Sequence, residues 1–407
     1  MNLNYRKVIP NFIYNFLRKF IFFHKLKSLL DLFIIYLITI LYYLFRIFPI
    51  QKNKIFIQNF YGKGYGCNPK YLVEEILRCK LNFILVWAVK PEFSKDFPQT
   101  VKTVPYNSIL SIYEEVTAKI WIDNCRKPSY VRKRKVQYYI QTWHGIVGLK
   151  RVEKDCEQQL STHYIKKAKH DSTLANLFIS DSKFTSDLYR SAFWYNGKIL
   201  ECGSPRYDIL INSDQDIKNK VRRYFHITDN TKIVLYAPTF RDTFSPDVYN
   251  INYELILNAL EEHTNGSWVF LTRMHPHFSN KSIFIEYNEK IFNANNYNDI
   301  QELLLTSDML ITDYSSCINE FALMNKPAFL YISDYEQYKK ERDFYFDLFS
   351  LPFPCAINNS ELIQKIINFD NDHYLHSLKE FFIKVGIVKD GNASQKVVDR
   401  IIMEIKK

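Results

Sequence analysis

The chain has 407 residues, a net charge of +11, 47% apolar residues and seven cysteines. That length allows two domains and a large buried core. Seven scattered cysteines without a C-x-x-C pair exclude a disulfide-built scaffold and a zinc ribbon, and fit a reducing compartment.

The charge is uneven. Residues 1–54 hold nine Lys/Arg against one acid, Asp31, which is +8 of the +11. The same segment contains Leu32–Phe45, an uncharged and mostly apolar run closed by Asp31 and Arg46. A spanning helix needs about 20 apolar residues, and Leu29–Ile50 is just long enough. Upstream, "FLRKFIFFHKLKSLL" mixes Lys and Arg with Phe and Leu, as an interfacial helix does. No small-residue cleavage site follows, which argues against a cleaved signal. Residues 1–50 are therefore expected to be a helical membrane-associating segment, peripheral or monotopic, with a single span and helices buried against the body as the alternatives. Its cations suit an anionic cytoplasmic leaflet.

After residue 50, short β-prone runs recur at 54–60, 83–89, 119–124, 138–145, 176–182 and 198–204, then at 232–240, 268–275, 309–315 and 327–333. Segments with helical spacing lie between them. Continuous apolar strands alternating with helices predict parallel sheets covered on both faces. Two sets predict two doubly wound Rossmann-type domains, residues 51–210 and 211–407, joined near "CGSPRYDILINSD" where Gly203 and Pro205 punctuate the chain.

Ligands in such folds bind beyond the carboxyl ends of the strands, and the polar residues gather there. In the first unit "YGKGYG" (61–66) resembles a phosphate loop, with neither the Rossmann nor the Walker spacing. "RKPSYVRKRK" (126–135) carries six cations and no acid, a solvated loop or a docking surface for a polyanion. "QTWHGIVGLKR" places His144 and Gly145 at a strand exit, followed by Lys150 and Arg151. In the second unit "YAPTFRD" ends a strand with Thr239 and Arg241. "LTRMHPH" ends another with Arg273, His275 and His277; its HxH pair lacks a nearby third ligand, and the arginine favours an anion over a metal. "TDYSSCINEF" sets Asp313, Ser315, Ser316 and Glu320 where a strand meets a helix, an N-cap or an anion site.

In this order, "WIDNCRKP", "YIQTWHGIVGLK", "SDSKFTSDLY", "GSPRYD", "LYAPTFRD", "RMHPH" and "ITDYSSCINEFALMNKPAFLY" make the body resemble the CDP-glycerol glycerophosphotransferase family, the teichoic-acid-type and capsule polyol-phosphate transferases. The resemblance implies a GT-B-like fold. It implies transfer of a polyol phosphate from a CDP-activated donor to a hydroxyl of a lipid-linked glycan or polyol-phosphate acceptor, with release of CMP, at the inner membrane face. It implies that His144 and His275 lie in the cleft and that "DYSS" and "PTFR", with Asp313, Ser315, Ser316, Thr239 and Arg241, hold the donor pyrophosphate. Glu320 stands where the family often has an aspartate. "ERDFYFDLFSLPFP" leans toward a capsule or surface-glycan enzyme.

Within that chemistry His144 is expected to be the general base, having a pKa near the working pH. Gly145 leaves room for substrate, and Lys150 and Arg151 face an anionic acceptor. Arg241, Arg273, His275, Ser315 and Ser316 neutralise the donor phosphates. No cofactor and no metal are expected. A GT-B glycosyltransferase using a nucleotide sugar is the nearest alternative, and a basic nucleic-acid binder a distant one.

Overall fold

The computed structural model describes residues 24–145, 147–241, 246–274, 285–341 and 343–407. His275 and His277 lie outside the described residues.

Two all-parallel sheets form the body. The first contains β1 (Gln51–Gln58), β2 (Ile84–Val89), β3 (Val101–Pro105), β4 (Ala118–Asp123), β5 (Tyr138–Gln141), β6 (Leu177–Ser180) and β7 (Lys198–Glu201), in the order β3-β2-β1-β4-β5-β6-β7. The second contains β8 (Lys232–Tyr236), β9 (Trp268–Thr272), β10 (Ile291–Asn293), β11 (Met309–Thr312), β12 (Ala328–Tyr331) and β13 (Cys355–Ala356), in the order β10-β9-β8-β11-β12-β13. In each sheet the order reverses beside its first strand, giving one switch point between β1 and β4 and another between β8 and β11. The ten expected strands are present. The three that the pattern missed, β3, β10 and β13, all lie at sheet edges. An edge strand needs no continuous apolar run: β3 reads "VKTVP", with only Val101 and Val104 buried.

The central strands are buried on both faces, as "ILVWAV" in β2 shows. On one face of the first sheet, Ile55, Ile57, Trp87, Ile120 and Ile140 pack with Leu72, Val73 and Ile76 of the helix Cys67–Arg78. The last helix, Ala393–Lys406, belongs to the stretch expected in the second unit, yet it inserts Val397, Val398 and Ile401 into this same core. Its N-terminus is tied to the inter-sheet link by Asp208, whose carboxylate accepts from the backbone N–H groups of Ala393 (3.0 Å) and Ser394 (2.7 Å).

On the opposite face lies the N-terminal helix, His24–Leu44. Its Ile34, Ile38 and Tyr42 are buried against Phe56, Val86, Trp121 and Tyr139. The Tyr42 hydroxyl donates to Glu115 at 2.5 Å. Leu29, Leu32, Phe33, Tyr36, Leu37 and Leu44 on the same helix stay exposed.

The two units are joined by more than the chain. Lys70 donates to Asp299 (2.7 Å) and Glu302 (2.8 Å), and Tyr71 donates to Asp299 (2.8 Å), all buried. Removing one partner of such a buried set leaves an uncompensated charge, so the contact fixes the cleft. Residues 149–151 also pair with 343–345, through Tyr345 N–H to Leu149 O and Arg151 N–H to Asp343 O, both 2.9 Å.

Candidate active site

His144 follows β5 and sits beside the first switch point. Its Nδ1 is 2.5 Å from the carbonyl oxygen of Asn124, the residue after β4. A carbonyl only accepts, so Nδ1 carries the proton and Nε2 keeps its lone pair. The Trp143 ring stacks on the imidazole at 4.5 Å between centroids, and the Phe60 ring meets it edge-on at 5.1 Å. Burial, with lesser help from the charges of Arg206 and Arg126, pushes the pKa down to about 4, against the opposing pull of the Asn124 carbonyl. The ring is neutral at physiological pH.

The second switch point lies opposite. A Cβ placed on Gly145 would come 3.9 Å from the Ser316 hydroxyl, so the two strand-end sets meet there. Ser316 opens the short helix Cys317–Ala322, and its side chain caps none of the helix's N–H groups. Among the described residues, the Ser315 hydroxyl accepts only a long 3.4 Å bond from Cys317 N–H.

Behind the serines is a saturated network. The Asp313 carboxylate accepts from Thr239 N–H (2.9 and 3.0 Å), the Thr239 hydroxyl (2.8 Å), Tyr314 N–H (2.6 Å) and Arg241 Nη1 (2.8 Å). Arg241 also holds Asp334 through Nε (2.6 Å) and Nη2 (3.0 Å), and packs against the rings of Tyr314 and Tyr338. Thr239, Arg241 and Asp313 are thus together, but the arginine faces two carboxylates, not open cleft. Its charge is spent on the loops that carry the serines.

Arg273 differs. It donates to the carbonyls of Ala294 (2.9 Å) and Tyr297, and among the described residues no carboxylate comes within ion-pair distance. Burial holds its pKa below the ordinary arginine value. A half-buried guanidinium held by carbonyl dipoles, with Asp299 acting on it only from beyond ion-pair distance, suits an incoming anion.

Three further sets of expected residues have partners within the protein. Glu320 is buried, accepts from Arg206 and takes a 2.7 Å bond from Gln301, so it closes the floor of the interface. Arg151 pairs with Asp343 at 2.9 Å, and Lys150 lies 5.7 Å from the Tyr338 ring, so both belong to the strip that docks the two units. In the basic run 126–135, Arg126 and Lys127 are buried: Arg126 binds Glu153 and Asp171, and Lys127 binds Glu115 and Asp123. Their charges are internal, which removes them from any docking surface.

Sequence reasoning missed Arg206 as a site element. Its motif "GSPRYD" had been noted, but read as punctuation of the junction. Asn124 was visible only as one more polar strand-end residue.

The profile of the family described as CDP-Glycerol:Poly(glycerophosphate) glycerophosphotransferase matches residues 40–403. A teichoic acid poly(glycerol phosphate) polymerase of Staphylococcus epidermidis is 31% identical over 371 residues, 88% of this chain but 51% of that protein, so the chain spans about half of this relative's length. A teichoic acid glycerol-phosphate transferase of Staphylococcus aureus is 31% identical over 86% of this chain and 93% of its own length. The solved wall teichoic acid polymerase TagF superposes with a TM-score of 0.79 at 30% identity, covering 90% of this chain and 93% of that one. That match makes the fold GT-B-like, and a profile match over most of the chain places it in the CDP-glycerol:poly(glycerophosphate) glycerophosphotransferase family.

Proposed function

We propose that the protein transfers glycerol phosphate, or a related polyol phosphate, from a CDP-activated donor to an acceptor hydroxyl in the synthesis of a teichoic-acid-like or capsular surface polymer. The observation that carries the reading is His144: a neutral imidazole with Nδ1 committed to Asn124 and Nε2 left for a proton, beside the point where Gly145 and Ser316 meet. Relatives named for glycerol-phosphate transfer, and a TagF variant soaked with CDPG, support the donor class.

In this reading the acceptor oxygen attacks the β-phosphorus. Its proton passes to His144 Nε2, and the bond from that phosphorus to the bridging oxygen breaks, releasing CMP. Positioned acid–base groups contribute about 10²–10⁴-fold to such steps. The first unit is the acceptor side and the second the donor side. Ser315, Ser316 and Arg273 neutralise the donor phosphates, which gain from fixed donors aimed at developing charge. His275, two residues after Arg273, is assigned to the same phosphates. Thr239, Arg241 and Asp313 hold those donors in place.

The acceptor is lipid-linked and the protein sits on the cytoplasmic membrane face. The N-terminal helix supports a monotopic attachment over a span. Its stripe Ile34, Ile38 and Tyr42 is already occupied by protein, while Leu32, Phe33, Tyr36 and Leu37 face outward, an arrangement for lying in the interface.

The test is incubation with membrane extract and CDP-glycerol or CDP-ribitol in turn, following CMP. Release of CMP that depends on acceptor is expected. Release of UDP or GDP from a nucleotide sugar, with none from either CDP-polyol, would replace this reading with glycosyl transfer.

A further inference from the structure

The Asn124 carbonyl that selects the His144 tautomer is itself held by a pair of buried amides. Asn124 Nδ2 donates to Asn59 Oδ1 at 2.7 Å, across the switch point from the β4 exit to the β1 exit. Asn124 Oδ1 accepts from Phe60 N–H at 2.9 Å. Asn59 Nδ2 donates onward to the carbonyls of Lys63 (3.1 Å) and Gly64 (3.2 Å). Both side chains are fully buried, at 2% and 0% exposure.

A second observation falls in the same place. Phe60 and Tyr61 have φ of +40° and +56°, and Trp143 has φ of +51°. Bulky residues rarely adopt this conformation, and it persists only where surroundings over-determine it. Phe60 and Trp143 are the two rings that contact His144. Next in the loop, Gly62 has φ of +84°, and a Cβ there would come 2.8 Å from the Tyr106 side chain. The glycine loop 61–66 therefore has a use without any phosphate. It folds back so that Asn59 can cap it and Asn124 can pin Phe60.

We propose that Asn59 and Asn124 are positioning residues for His144, their paired amides fixing the carbonyl that binds Nδ1–H and thereby presenting Nε2 as the only proton acceptor. The inference rests on the assignment of His144 as base, but its first readout does not. In the full-length protein without substrate, ¹⁵N-histidine spectra, assigned by the signal lost in His144→Ala, should show His144 as the Nδ1–H tautomer. Asn124→Ala and Asn59→Ala should show a mixed or reversed tautomer. Their kcat for CMP release should fall about 10–100-fold, as expected for a base displaced by about an ångström, while KM for CDP-glycerol stays within about twofold. Asn176→Ala is the control, since it removes an amide bond to Tyr139 N–H at the far end of the sheet and should move neither readout. Should Asn124→Ala not fold, Asn124→Asp is isosteric. It keeps an acceptor for Phe60 N–H but opposes two oxygens at Asn59. Wild-type tautomer and kcat in all three variants would overturn the proposal, as would a mixed tautomer in the wild type. A fixed Nδ1–H tautomer together with a fully active His144→Ala would instead overturn the reaction assignment and leave the positioning intact.

Discussion

The two switch points have the same strand order but opposite chemistry. At the first, Nε2 of His144 has no partner among the described residues, its neighbours are aromatic, and three bulky residues around it hold positive φ. At the second, Asp313 takes donors from Thr239, Tyr314 and Arg241, and Arg241 is neutralised a second time by Asp334. One end is strained and chemically open, the other relaxed and saturated. The difference teaches that a charge at a strand exit says little about role until its partners are counted. Arg241 and Arg273 look alike in sequence, yet only Arg273 lacks a carboxylate among the described residues.

The comparison can be broken at its open end first. His144→Ala should lower kcat by about 10²–10⁴-fold with calorimetric CDP-glycerol affinity near wild type. An equal loss of affinity would place His144 on the donor instead. At the saturated end, Arg241→Met leaves two buried carboxylates without their cation and should cost about 3–5 kcal/mol, read as a large drop in melting temperature. An unchanged melt with weakened donor binding would show that Arg241 serves the phosphate after all. Arg273→Ala should behave in that second way, since a charged hydrogen bond is worth about 1.5–3 kcal/mol. A 10- to 100-fold rise in KM for CDP-glycerol with little change in melt is the expected result.

The pH dependence sharpens the contrast further. With the His144 pKa near 4, the imidazole is already neutral from pH 5 upward, so if it is the base, the histidine-dependent acid limb of kcat should lie well below the ordinary imidazole value of about 6.5. The sign for stability follows. The unfolded chain binds this proton at higher pH than the folded one, so His144 removes stability as pH falls from about 6.5 toward 4. His144→Ala should therefore be less acid-sensitive in that window by thermal melt. The smallest effect concerns the exposed helix. Phe33→Asp with Leu37→Glu should reduce flotation with anionic vesicles while CMP release with a soluble acceptor is unchanged. Undiminished flotation would move the attachment elsewhere.

The fold was legible because central parallel strands must be apolar on both faces, and all nine central strands announced themselves, with the edge strand β7. The other three edge strands were silent, since one side of each needs no partner. The site was legible only by position. His144, Gly145, Ser316 and Asp313 could be placed at strand exits, but which cations were free could not be. Arg126 and Arg151 lie in or beside charge-rich motifs, and their carboxylates Asp171 and Asp343 come from distant parts of the chain, while Lys127 takes the nearer Glu115 and Asp123. The pairing of Glu320 was equally hidden, its partner Arg206 lying more than a hundred residues upstream.

The placement of the final helix bears on how the protein is made. Val397, Val398 and Ile401 complete a core whose other members lie mainly in β1 to β6 and in the helix Cys67–Arg78. Ribosomes deliver the amino-terminal part first, and domains generally fold as they emerge. Here the first sheet emerges with part of one apolar face bare, and stays so while the entire second sheet is translated. That half-built intermediate presents Ile, Leu and Trp side chains to solvent while the second sheet is made, and is the species on which a holding chaperone would act.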